Sequence, residues 1–552
     1  MSIENCDASG VAHELNEKLE DLALGTSITV NEKILQKPDD ELTEGRKYGD
    51  CYIFDYQNFK NGYSRPGSKN DVARLKHVFK SLNFDVYGDN VDLTRKKTLN
   101  ILKEAAKKDH SQSKYFVCCF LTHGEEGKLL MHDKVIKIDD ILQLFSRSAC
   151  ETLSGKPKIF IFQACRGNCC EEGVPIDSTD FGSIKGNPDY LDFLVAYSTY
   201  EGNFTVGKVS FKTKDPNGSQ NNHGSYFIDE LCRTFEQFSD KLDLLQILTI
   251  ANYRVAYFFK SQKTKDEKYR YKKQMPYFTS RLRTEVKFNR KMQMFESCHT
   301  QYFDYRRGKS SLGKKSTEKP LEDKQIYNIQ NSKRIMFLSL LITRDNYEND
   351  LTYSASCLWS SVASKGYQRE AKNNWSEKEL TDFLKEVASR DFSSTDCLIC
   401  FIACKAKGDY LCDVKGNKFL MRQIVEQFTG EKCLALVQKP KIFIFMLSSP
   451  AKKSWLPCVS ADSTDGDSSS STIPVHADIL EIAITFQDSR QLEGTTIKFY
   501  DIFRRKNSED FLSQLTRIND ELVKDYGFYS SSNNNLATFC VNSTLTKTLI
   551  IK

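Results

Sequence analysis

The 552-residue sequence predicts an α/β fold, a mainly parallel central β-sheet flanked by helices, and predicts it twice. Three observations carry this. Short β-rich apolar runs (CYIFDY, YFVCCFLT, KIFIFQAC, FLVAYST) alternate with helical-looking segments such as KNDVARLKHVFKSL and SYFIDELCRTFEQF. The strand KPKIFIF occurs at residues 156–162 and again at 439–445. The chain is also far longer than a single hydrophobic core supports.

Taken in order, residues 1–45 are polar and too few to form a core, and 46–290 hold the first copy. A Lys/Ser-rich linker spans 291–325, and 326–552 hold the second copy. Upstream of the shared strand, YFVCCFLTHGEEGKLL (115–130) lines up with CLICFIACKAKGDYL (397–411), and ARLKHVFKSLNF (73–84) with SCLWSSVASKGY (356–367). Downstream, GNPDYLDFLVAYST (186–199) matches TIPVHADILEIAIT (472–485). In a parallel sheet, function is expected at the carboxyl ends of the strands. Both THG and QACRG fall there.

Composition removes several alternatives. A net charge of +6, from 79 basic and 73 acidic residues, is too small for this length to argue for nucleic acid. The basic runs at 260–273 and 308–324 read as solvated loops. No apolar run of about 18 residues is present to span a membrane, and the opening is too polar for a signal peptide, so a cytoplasmic protein is expected. The 18 Cys lie scattered, several inside apolar strands, and are read as reduced thiols. Cys397, Cys400, Cys404 and Cys412 have a zinc-like spacing, but alternation along CLICFIAC sends Cys397 and Cys400 to opposite faces; no metal or cofactor is expected.

The chemistry is concentrated in the first copy. Cys165 follows a buried strand and is placed by Ala164 and Gly167; a thiol there needs a nearby base to act as a nucleophile. His123 ends the strand YFVCCFLT. Two neighbouring parallel strands would set the imidazole beside the thiol, with the Gly124 and Cys165 amides directed at a developing oxyanion.

QACRG and THGEEG resemble the cysteine and histidine motifs of the caspase family, and GSYFIDELC and KKQMPYFTSRL resemble its small-subunit segments. The resemblance covers most of 46–290. It implies a caspase-like fold and a cysteine endopeptidase acting on proteins after aspartate, in apoptotic or immune proteolysis. Arg65, in SRPGSKND, matches the family's first specificity arginine, and Gln163 matches its glutamine. The serine-aromatic-arginine stretch is met by Ser210, Phe211 and Lys212, where lysine keeps the charge but loses the bidentate fork. The family's zymogen cut would fall after Asp177 or Asp180, with Asp177 preferred, giving a large subunit ending at about 177 and a small one starting at about 181. Asp192, inside an apolar strand motif, is not expected to be cut. The resemblance also implies a dimer or an intramolecular pseudo-dimer, with other caspases or inhibitor proteins as further partners.

The second copy keeps the strand and loses the chemistry. Aligned on KPKIFIF, Gln163 becomes Met446, Cys165 becomes Ser448, Arg166 becomes Ser449 and Gly167 becomes Pro450. On the upstream block, His123 is set against Cys404 and Gly124 against Lys405. No match to Arg65 is found near Glu348. The competing reading is therefore a non-catalytic regulator that binds caspases or their substrates.

Overall fold

The computed structural model describes residues 47–65, 67–125, 127–164, 188–199, 213–214, 220–221, 224–259, 273–290, 326–329, 331–342, 358–359, 362–407, 410–448, 473–486, 489–504, 508–526 and 538–551. In the first half the apolar runs become β1 (Gly49–Asp55), β2 (Phe84–Val91), β3 (Tyr115–Leu121), β4 (Lys158–Gln163), β5 (Phe193–Tyr197) and β6 (Tyr277–Ser280). β1, β3, β4 and β5 are buried at every position, which is why they read as unbroken apolar runs. β2 lies at the sheet edge and exposes Tyr87 and Val91. Helix α1 (Ser68–Ser81) carries the chain from β1 to β2. Helix α2 (Arg95–Lys107), opened by a Thr94 hydroxyl that accepts from the Lys97 amide at 3.4 Å, returns it to β3. Helices α3 (Tyr226–Phe238) and α4 (Leu244–Phe258) precede β6.

The second half repeats this order with β7 (Ile335–Leu341), β8 (Gln368–Asn373), β9 (Cys397–Lys407), β10 (Lys441–Ser448), β11 (Ile479–Phe486) and β12 (Thr538–Ser543). Its helices are α5 (Glu377–Ala388), α6 (Ser489–Arg504) and α7 (Phe511–Tyr526). Among the described residues, one 14-stranded sheet contains both halves, its main path running β8-β7-β9-β10-β11-β12-β6-β5-β4-β3-β1-β2. Pairing is parallel within each half until the last strand, β6 or β12, which runs antiparallel to its neighbour.

Duplicated residues do duplicated work. Lys158 and Lys441 open β4 and β10, and each is buried. The Lys158 Nζ donates to the Leu153 and Lys156 carbonyls at 3.1 and 2.9 Å, and the Lys441 Nζ to those of Leu436 and Lys439 at 3.2 and 2.9 Å. An ammonium taken out of water needs such partners, which accounts for the lysine that precedes IFIF in both copies. Asp192 and Asp478 also correspond, both with left-handed backbone (φ +65° and +67°). The Asp192 carboxylate holds Arg283 through two bonds of 2.8 and 2.6 Å, while Asp478 accepts from the Tyr327 hydroxyl at 2.6 Å and from Thr546.

The halves meet where β6 pairs antiparallel with β12, through Phe278↔Ser543, Thr279↔Asn542 and Ser280↔Val541. Ser280 and Ser543 are equivalent in the repeat, each bonding the amide two residues on (Leu282 and Leu545), so the pairing is symmetric about Thr279 and Asn542. The Thr279 hydroxyl donates to Asn542 Oδ1 at 2.8 Å. Asn519 of α7 crosses the seam and donates to the Arg281 and Leu282 carbonyls at 3.2 and 3.0 Å.

Two aspartates cap the flanking helices. The Asp243 carboxylate accepts the Leu245 and Gln246 amides at 2.8 and 3.0 Å, and Asp510 takes the same place before α7. Burial pushes Asp243 up to about 6; burial, and then the charge of Asp243, pushes Asp510 up to about 7.

Two outcomes are expected. Asn519→Ala removes both side-chain bonds across the seam at a cost of about 1–3 kcal/mol, so amide exchange of β6 and β12 should quicken while that of β1 and β3 stays unchanged. Because the folded carboxyls hold protons more tightly than the unfolded ones, this stabilisation is fully present below about pH 4 and is lost as pH rises through 6 and 7. Asp510→Asn, which keeps the cap, should raise Tm at about pH 8 and flatten its pH slope; an unchanged slope would exclude this pair as its source.

Candidate active site

The register of two adjacent parallel strands builds the site. β3 and β4 end side by side with Leu121 opposite Gln163, and the Thr122 amide donates to the Gln163 carbonyl at 3.0 Å. There the first half leaves the sheet: the Thr122 hydroxyl bonds the Leu130 carbonyl, and His123–Glu125 turns back against Lys128–Leu130, with His123 opposite Leu130. Gly127, at φ +69°, makes the reversal in a conformation that a side chain would strain. His123 is half-buried, its ring 5.0 Å from Phe59 and 5.9 Å from Tyr63.

Nε2 of His123 and Oε1 of Gln163 are both buried with no hydrogen-bond partner among the described residues. Buried polar atoms without partners are rare and mark places where a further group belongs. Cys165, two residues past Gln163, lies outside the described residues, as do Ser210, Phe211, Lys212, Asp177 and Asp180. The chain is described up to Ala164, whose carbonyl accepts the Ser198 hydroxyl at 3.2 Å. Ser198 is fixed in turn by its amide to the Phe162 carbonyl (3.0 Å) and by Gln274 Nε2 to its own carbonyl (2.6 Å). Sequence reasoning missed Ser198 and Gln274. The first follows β5 and the second stands in KKQMPYFTSRL, so their place beside a strand end was the available signal.

Arg65 lies on the loop between β1 and α1. Asp92 moors this loop by accepting the Gln57 amide at 2.6 Å and the Asn58 amide at 3.0 Å. The Arg65 guanidinium is nearly buried; it donates to Ser68 Oγ at 2.9 Å and stands 3.6 Å from Asp55 and 3.7 Å from Asp71. A planar guanidinium fixed in this way has the geometry that matches a carboxylate.

The second half differs at the same level. Lys158 and Lys441 are equivalent, Phe116 pairs with the first and Leu398 with the second, so Phe116 corresponds to Leu398. Counting forward sets Lys405, not Cys404, opposite His123, and Cys404 opposite Thr122. The physical reason is that β9 runs unbroken to Lys407, keeping Cys404↔Leu447 and Lys405↔Ser448 paired where the first half opens. A lysine offers donors only, so it supplies no acceptor for a hydroxyl proton. Met446 holds the Gln163 position within β10, and Ser449 and Pro450 lie outside the described residues. Cys400 and Cys404 pack in the core with Leu398 and Ile402, while Cys397 is on the other face.

Burial pushes the thiols of Cys51, Cys118, Cys232, Cys397, Cys400 and Cys404 well up, so they stay protonated at neutral pH. In native protein at about pH 7, iodoacetamide should leave these six untouched until the chain is unfolded, as read by peptide mass spectrometry.

A family model described as "Caspase domain" matches residues 49–287 and again 336–550. Caspase-7 of Gallus gallus is 37% identical over 254 residues, covering 44% of this chain and 78% of that protein. Caspase-3 of Mesocricetus auratus is 36% identical over 245 residues, covering 44% of this chain and 83% of that protein. Caspase-3 of Bos taurus is 34% identical over 245 residues, covering 44% and 84%.

Proposed function

The chain belongs to the caspase family, matched over both halves, and from that premise we propose that its first half is an aspartate-directed cysteine endopeptidase with Cys165 as nucleophile. The observation that carries this is the pairing of Leu121 with Gln163, which sets His123 and Cys165 two residues beyond neighbouring strand ends.

In this reading His123 takes the Cys165 proton, and the thiolate attacks the backbone carbonyl of the substrate aspartate. The Gly124 and Cys165 amides hold the oxyanion. His123 returns the proton to the leaving amine, and water then hydrolyses the thioester. Arg65 receives the aspartate carboxylate, with the Nε2 amide of Gln163 as a second donor and Ser210, Phe211 and Lys212 closing the pocket. The chain is made as a zymogen and cut after Asp177, with Asp180 as the alternative. The second half, with Lys405 and Ser448 paired in the sheet, is inactive and serves as the dimer partner in cis through β6 and β12.

Peptides ending in aspartate should be hydrolysed by the full chain, those ending in asparagine should not, and Cys165→Ala and His123→Ala should each lower kcat by about 10³-fold or more. Equal cleavage by wild type and Cys165→Ala would sink the proposal. Absence of cleavage by wild type, even after a cut is introduced at Asp177, would favour a non-catalytic regulator of other caspases.

A further inference from the structure

Between Arg65 and the start of α3 stands a carboxylate to which neither the strand ends nor the catalytic pair gives a role. Asp71, in the first turn of α1, is almost fully buried. Its Oδ2 lies 3.7 Å from the Arg65 guanidinium, and its Oδ1 accepts the Ser225 amide at 2.6 Å. Ser225 is the residue before α3, and the polar stretch 200–223 ends at its neighbour Gly224. A Cβ on Gly224 would stand 2.2 Å from Asp71 Oδ1 and 3.2 Å from the Asp71 amide. The backbone at Gly224 is therefore seated directly on this carboxylate. Burial pushes Asp71 up to about 7, against the pull of Arg65 and the Ser225 N–H.

We infer that Asp71 is a positioning residue for aspartate selectivity: one carboxylate orients the specificity arginine and ties it to the start of α3 at Ser225. This rests on the reading of Arg65 as the receiver of the substrate carboxylate. A longer or shorter substrate acid depends on where the guanidinium is held, whereas overall folding affects all substrates alike. Asp55, the other carboxylate on Arg65, sits at the end of β1 and touches nothing on α3 among the bonds described, so it cannot couple the two walls.

Asp71→Asn keeps an oxygen for the Ser225 amide but turns an N–H₂ toward Arg65. With the full-length protein and paired peptides ending in Asp or Glu, the ratio of kcat/KM for Asp over Glu should fall about tenfold, through KM, with kcat for the Asp peptide within about twofold. Gly224→Ala, which displaces the same carboxylate from the other side, should lower the same ratio and carries the test if Asp71→Asn does not fold. A ratio unchanged within about twofold in a folded variant, with both substrates slowed equally, would make Asp71 merely structural and overturn the inference. No Asp-dependent cleavage by wild type would instead defeat the underlying protease reading.

Discussion

The hydrogen-bond register between β3 and β4 is the constraint on which the rest depends. Pairing Phe116 with Lys158 leaves no freedom downstream: Leu121 must face Gln163, and in the sequence His123 and Cys165 each follow two positions later. Because side chains alternate along a strand, a slip of one residue would turn each of these groups to the opposite face. The buried lysine guards the register. Its Nζ bonds two carbonyls of the preceding loop, so sliding β4 by one residue would leave an ammonium and those carbonyls unpaired in the core. The same device recurs at Lys441, where no matching pair of catalytic residues remains.

That recurrence separates two kinds of selection. The strand KPKIFIF serves packing and register, and both halves need it to build one sheet. In the proposed reading, the residues just past it in the first half serve chemistry. In the first half, Thr122 ends the pairing and sends the chain into a hairpin, which frees His123 from the ladder. In the second half, β9 continues to Lys407 and the hairpin strand Tyr410–Cys412 pairs with that extension. An opening between strands has become more sheet. Lys405 and Ser448 consequently stand in a paired ladder of the main sheet.

How much of this was legible varies with the physics that encodes it. The buried parallel strands were readable because strands covered on both faces must be apolar throughout, and the repeat was readable because it is spelled in identical residues. The motifs QACRG and THG stood out because they place uncommon residues after such strands. The one-residue offset that puts Lys405 opposite His123 was not, since an apolar run such as CLICFIAC carries no mark of its pairing partner. Ser198 and Gln274 were missed for a related reason. They act through backbone groups, Ser198 on the Ala164 carbonyl and Gln274 on the Ser198 carbonyl, and backbone bonds leave little imprint on residue type. Asp71 looked like any first-turn acid of a helix until Arg65 and Ser225 were found on its two oxygens.

The seam raises a different question, because a joint between similar surfaces is open to exchange. Symmetry about Thr279 and Asn542 means that each half offers nearly the same strand to the other. The groups flanking that strand are nevertheless unlike. On one side Arg283, already held by Asp192, faces Asp520 at 4.0 Å; at the position equivalent to Arg283 stands Thr546, which bonds Asp478 beside the Tyr257 hydroxyl. An ion pair this long and partly exposed contributes little by itself. The tether contributes more: a linked partner competes with free chains at an effective concentration on the order of mM. A second molecule would have to displace a neighbour that cannot diffuse away. Pairing within the chain is thus set by connection, and side chains at the seam need only avoid opposing it.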